Sequence, residues 1–178
     1  MPIGRVWRVP IGEQEREDGS GPYALGDMLA MARQAWVEQM ARRLGERGYG
    51  DYRRTDAAVV RLLLRAPVPV GRLRAPLGVT RQAARKVAEG LRQRGYATLE
   101  RDERDGRQYK VVLTPDGARY ASAVLAVIGE LNRDVGSQVT EDQLAGADAV
   151  LGVVIGTSGT WSRTARVPSG PPAVAGGY

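Results

Sequence analysis

Four side chains able to read nucleic acid crowd one short stretch, TRQAARKVAEGLRQRG, residues 80–95. Arg81, Gln82, Arg85 and Lys86 fall at spacings of one, four and five. On a helix of 3.6 residues per turn that spacing puts them on one side. Arg and Gln present paired donors and acceptors that match guanine and adenine edges, and Lys and Arg neutralise phosphates. Ala84, Val87, Ala88 and Leu91 gather on the opposite side, so the helix has a face to bury. Thr80 suits the N-cap, and Gly95 suits the C-terminal stop. Cations in the first turns oppose the helix dipole by about 0.3–1 kcal/mol each. A helix built only for stability would carry acids there. A polyanion bound across that end reverses the sign of the effect.

A second concentration of charge lies just downstream. RDERDGR, residues 101–107, holds six charges in seven positions. The flanking segments, Ala97–Arg101 and Gln108–Leu113, alternate as strands do and predict a hairpin turning at Gly106. Residues 61–110 carry 13 basic and 5 acidic side chains, whereas the whole chain has 26 and 20. One block of fifty residues therefore holds all of the +6 surplus. That asymmetry points to a polyanionic partner for the block.

Composition removes other chemistries. There is no Cys and no His, so disulfides, thiol sensing, the usual zinc ligands and Ser-His-Asp or Cys-His devices are excluded. No Walker loop or dinucleotide fingerprint follows a strand. The acids Asp102 and Glu103 stand on an exposed tip beside arginines, where raised pKa values are not expected. The expectation is a protein that is not an enzyme and needs neither metal nor cofactor. No apolar run approaches the roughly 18 residues of a membrane span. The first residues lack a signal-peptide apolar region, so a cytoplasmic location without membrane partners is expected.

These segments need elements to hold them. With 43% hydrophobic residues, no Phe and few aromatics, the core must be Leu, Val, Ala and Met, which suits packed helices. A first helix is predicted after Gly21-Pro22, its face formed by Leu25, Leu29, Ala32, Trp36, Met40 and Leu44. A second runs from about Thr55 to Arg65, with Thr55 as cap. A short helix within VGRLRAPL is expected to stop at Pro76. After the hairpin, Thr114-Pro115-Asp116 opens a long helix with Thr as cap and Pro at its first position. Ala121, Val124, Ile128, Leu131 and Val135 form a heptad seam on it. Thr140 and Gln143 make a capping box for a last helix, on which Leu144, Ala147, Leu151 and Val154 continue the spacing. The expected fold is mainly α, or α+β by strict count. Residues 1–20 form a flexible arm, 21–50 an N-terminal helix and 51–113 a winged helix-turn-helix lobe. Residues 114–156 supply the C-terminal helices, and the Gly/Pro/Ser-rich 157–178 a disordered tail.

The run LGVTRQAARKVAEGLRQRGYATLERDERDGRQYKVVLTPDG resembles the multiple-antibiotic-resistance regulator (MarR) family. The pattern is Leu91-x-x-x-Gly95, then Asp102, Asp105 and Arg107, then Leu113, Thr114 and Gly117. Glu103 departs from a frequent Pro, and Gly106 from a usual basic residue. The resemblance implies a homodimer acting on a pseudo-palindromic operator as a sequence-specific transcriptional regulator, a repressor responsive to ligand. Recognition-helix contacts would come from Thr80, Arg81, Gln82, Arg85 and Lys86. Arg107 would enter the minor groove, held by Asp105, with Arg104 on a nearby phosphate. Residues 21–50 and 114–156 would serve as N-terminal and C-terminal dimerisation helices, with Leu25, Leu29, Trp36, Val124, Ile128, Leu131, Leu144 and Leu151 forming the dimer interface. A small aromatic or lipophilic effector would lie near Trp36, Met40, Tyr49 and Tyr52, although the bland reading makes these four ordinary core and loop residues. The alternative function is a winged-helix protein-interaction adaptor without specific DNA readout.

Overall fold

The computed structural model describes residues 25–102 and 108–157. The chain divides into two units, one ending at Glu38 and the other starting at Gln39. The boundary falls inside the first helix, α1 (Leu25–Gly45). The described part of the first unit, residues 25–38, exposes Leu25, Met28 and Met31 and half-buries Leu29 and Trp36.

The second unit continues α1 and adds α2 (Arg54–Leu63), β1 (Val68–Pro69), a 3-10 turn (Val70–Leu73), α3 (Arg74–Leu77), α4 (Arg81–Gln93), β2 (Ala97–Arg101), β3 (Tyr109–Leu113), α5 (Pro115–Gly136) and α6 (Glu141–Thr157). The sheet is antiparallel in the order β1-β3-β2, with Leu99 opposite Val111 and Val68 on the other side of Val111. The core is largely aliphatic: Met40, Leu44, Val59, Val60, Leu73, Leu91, Val111, Val124, Val127 and Leu131 are buried, together with one aromatic, Tyr120. Tyr96 stacks on Tyr120 with ring centres 4.6 Å apart, and Tyr49 meets it tilted at 5.0 Å. On the surface Arg43 pairs with Asp134 at 2.5 Å and Arg47 with Glu130 at 2.7 Å, joining the end of α1 to α5.

Several local expectations stand. Thr114 Oγ1 accepts from Gly117 N at 3.0 Å, with Pro115 in the first turn. Thr140 and Gln143 exchange reciprocal bonds of 2.9 and 3.3 Å.

Others need correction. Thr55 does not cap α2; the helix begins one residue earlier, and Arg53 occupies the cap position without a side-chain bond. Pro76 does not stop the short helix. It sits third in α3, where the amides have no intrahelical acceptor and a missing N–H costs nothing. Gly78, at φ 61°, ends it instead. The strand β1 is two residues long and lies beside Pro67, too brief for any periodicity to reveal. On α5 the buried stripe is Gly117, Tyr120, Ala121, Val124, Val127 and Leu131. Ile128 is only half-buried and Val135 is 46% exposed. A strict seven-residue repeat drifts off the face of a straight 3.6-residue helix, so the seam merged two faces.

Candidate nucleic-acid interface

The recognition-helix candidate forms as its residues dictate. Thr80 Oγ1 accepts from Ala83 N at 3.2 Å and satisfies one orphan donor of the first turn. Gly95, at φ 76°, takes the left-handed conformation that ends the helix. Ala84, Ala88 and Leu91 are fully buried. Arg81, Gln82, Arg85 and Lys86 are exposed, and no acid stands in the first turn. The four line one open groove of about 1350 Å³ that runs from the outer face of α4 to the hairpin strands.

The groove has further cationic walls. Arg53, before α2, and Arg94, after α4, line it together with Leu99, Gln108 and Tyr109 of the hairpin. Sequence reasoning did not single these out. The doublet Arg53-Arg54 at a helix start was a usable signal. Tyr109 was not, because alternation places it on the side of the buried Val111. Only its position at the strand end leaves it 44% exposed. Glu89, an acid in the groove, is held by Arg92 at 2.6 Å and by Gln93 at 3.4 Å. The hydrogen bonds from Arg92 keep its carboxyl below the ordinary glutamate range. Arg92 thus offsets much of that acid's effect on an incoming anion.

Arg104, Asp105 and Arg107 lie outside the described residues. The strands lead to them: β2 ends at Arg101, β3 starts at Tyr109, and Asp102 N donates to Gln108 O at 2.9 Å between them.

Of the residues read as a dimer surface, Val124 and Leu131 are buried within the single chain at 0% and 2% exposure. They hold its core and cannot meet a second copy without unfolding it. Leu25, Leu144 and Leu151 are exposed, and Leu29, Trp36 and Ile128 are half-buried. Of the four read as an effector cleft, Met40 is buried core and Tyr49 packs on Tyr120. Tyr52 is half-buried, and burial raises its hydroxyl pKa against the opposing pull of Arg54 and Arg61. Trp36 belongs to the N-terminal unit. Among the described residues no group of three or more acids could hold a metal ion. No described helix is long and apolar enough to cross a membrane.

Residues 51–108, from just before α2 to just before β3, match the model of the MarR family. This central lobe is a MarR-family winged helix-turn-helix. Solved structures share the fold beyond the lobe. A probable transcriptional regulator from Pseudomonas aeruginosa is 26% identical, with a TM-score of 0.63 over 74% of this chain and 96% of that one. The PcaV transcriptional regulator from Streptomyces coelicolor, in complex with its natural ligand, is 19% identical, with a TM-score of 0.65 over 77% and 95%. A mutant MarR from E. coli complexed with operator DNA is 21% identical, with a TM-score of 0.64 over 74% and 93%. No curated protein matches the chain. Within the MarR-family lobe, α4 is the second helix of the helix-turn-helix and β2–β3 is the wing.

Proposed function

We propose that the protein is a transcriptional regulator that binds a specific double-stranded DNA operator as a homodimer and represses from it. One observation carries the reading: the polar face of α4 presents Arg81, Gln82, Arg85 and Lys86 into a single groove whose far wall is the wing. A capped, exposed helix of this kind enters a major groove, while the wing follows the backbone beside it. Likeness to a MarR solved on operator DNA supports this. Exposed Leu144, Val150 and Leu151 on α6 supply apolar surface suited to a second copy. Likeness to PcaV, solved with its natural ligand, supports control by a bound ligand.

Selection of duplexes from a random pool tests the reading. The expected outcome is enrichment of a pseudo-palindrome with half-sites about 10 bp apart, bound with an affinity that falls steeply as salt rises. Equal retention of selected and random duplexes at every salt concentration would leave the adaptor reading in its place.

A further inference from the structure

The inward face of α4 is shallow. Two of its three fully buried side chains are alanines, Ala84 and Ala88. Small side chains interdigitate little, so this seam alone sets the tilt of the helix weakly. At its C-terminal end the geometry differs. The Arg94 guanidinium folds back over Gly90, where an added Cβ would stand 3.5 Å from both terminal nitrogens. From there it donates through Nη2 to Oδ2 of Asp56, the third residue of α2 and the one buried charged residue among those described. Arg94 is itself 18% exposed at its side chain, and its Nε lies 3.5 Å from Asp51 Oδ2. That second contact has ion-pair distance without hydrogen-bond alignment. Asp51 in turn accepts from the Tyr96 hydroxyl at 3.4 Å. The acid sits in the first turn of α2 and the cation at the last turn of α4, the favourable end for each dipole.

We propose that Asp56 and Arg94 are positioning residues for DNA readout, the partly buried pair fixing the angle at which α4 offers Arg81, Gln82, Arg85 and Lys86 to the base edges. The proposal rests on the DNA-binding reading above. A buried pair often adds little net stability, because desolvating both charges offsets their attraction. What a directional contact supplies here is one orientation of a helix whose alanine seam tolerates several. Arg94 acts through α4 and not on the operator itself.

The test compares the unaltered protein with Asp56→Asn, with the double variant Asp56→Leu/Arg94→Met and with Arg85→Ala. Each is measured for affinity toward a selected duplex and a random one, for salt slope and for melting temperature. The double variant leaves the net charge unchanged, so general attraction to phosphate is preserved. Positioning predicts that the ratio of selected to random affinity falls about tenfold or more in both Asp56 variants, comparable to losing one base pair's readout. It predicts this even where the apolar pair restores the melting temperature, and with the salt slope held in Asp56→Asn. A ratio that stays unchanged, or that returns together with stability in the double variant, reduces the pair to a structural brace and overturns the proposal. So does a salt slope lowered by about one in the double variant with the ratio kept in Asp56→Asn, which makes Arg94 a phosphate contact. If Asp56→Asn does not fold, the double variant decides alone, and its failure to fold also rejects a separable positioning role. Arg85→Ala separates the two readings. Loss of affinity there with an intact ratio in the Asp56 variants rejects positioning only, whereas no effect there overturns the groove assignment and this proposal together.

Discussion

Gly117 turns its Cα directly onto the carbonyl oxygen of Tyr96, so closely that an added Cβ would overlap that oxygen and touch the Leu113 side chain. The same carbonyl accepts from Thr114 N at 3.1 Å, and Thr114 Oγ1 donates to Gly95 O at 2.6 Å. The end of α4, the end of β3 and the start of α5 are thereby locked at one point. Gly117→Ala must push backbone against backbone, with no flexible side chain to give way. The expected cost is at least about 1–3 kcal/mol of stability, the usual range for overpacking. Urea unfolding of the variant measures it, and a midpoint equal to the parent's would refute the close approach.

The DNA-binding reading predicts unequal roles for Arg85, which lines the groove, and Arg107, which lies between β2 and β3 in sequence. Arg85→Ala should weaken operator binding by about 1–3 kcal/mol and relax preference at one base position. Arg107→Ala should weaken binding to all sequences more evenly. Competition with single-base operator variants separates the patterns. Matching profiles for both substitutions would contradict the assignment of α4 to base readout.

Tyr120 gives the protein an alkaline limit. Burial, the nearby acids Asp56 and Asp51, and its neighbours Tyr96 and Tyr52 all push its pKa far above the ordinary 10.0. Tyr96 and Tyr52 are raised too, burial again being the main cause. A group that holds its proton more tightly when folded adds stability fully present below the unfolded value. That stability is lost as pH rises above 10 towards the folded value. Melting temperature should therefore fall above pH 10, and Tyr120 should ionise together with unfolding in a near-ultraviolet titration. Tyr120→Phe should flatten that alkaline slope.

Two leucines distinguish assembly from folding. Leu151, 40% exposed on α6, should tolerate Asp without loss of fold, and the proposed dimer should then dissociate. Leu131, 2% exposed on α5, should instead cost about 2–5 kcal/mol as Leu131→Ala through a cavity in the single chain. Sedimentation and thermal melts, run on both variants, check the contrast. A Leu151→Asp protein that sediments like its parent would count against α6 as the dimer surface.

Much of the lobe was readable because its signals are local. Thr80, Thr114 and the Thr140–Gln143 box act within one turn of their own helices, so a few residues of sequence suffice to predict them. The polar face of α4 followed from helical spacing, and its cations marked it as unusual whatever surrounded it. The excess of arginine over residues 61–110 needed only counting. By contrast, nothing local says which of two apolar faces of α5 the chain keeps for itself. Val124, Val127 and Leu131 turn inward and Val135 outward because of where α2 and the sheet stand. The same holds for Arg94 and Asp56, 38 residues apart, and for Gly117 against Tyr96. Short-range chemistry specifies caps, periods and charge, whereas a long-range contact exists only after every element between its partners has taken its place.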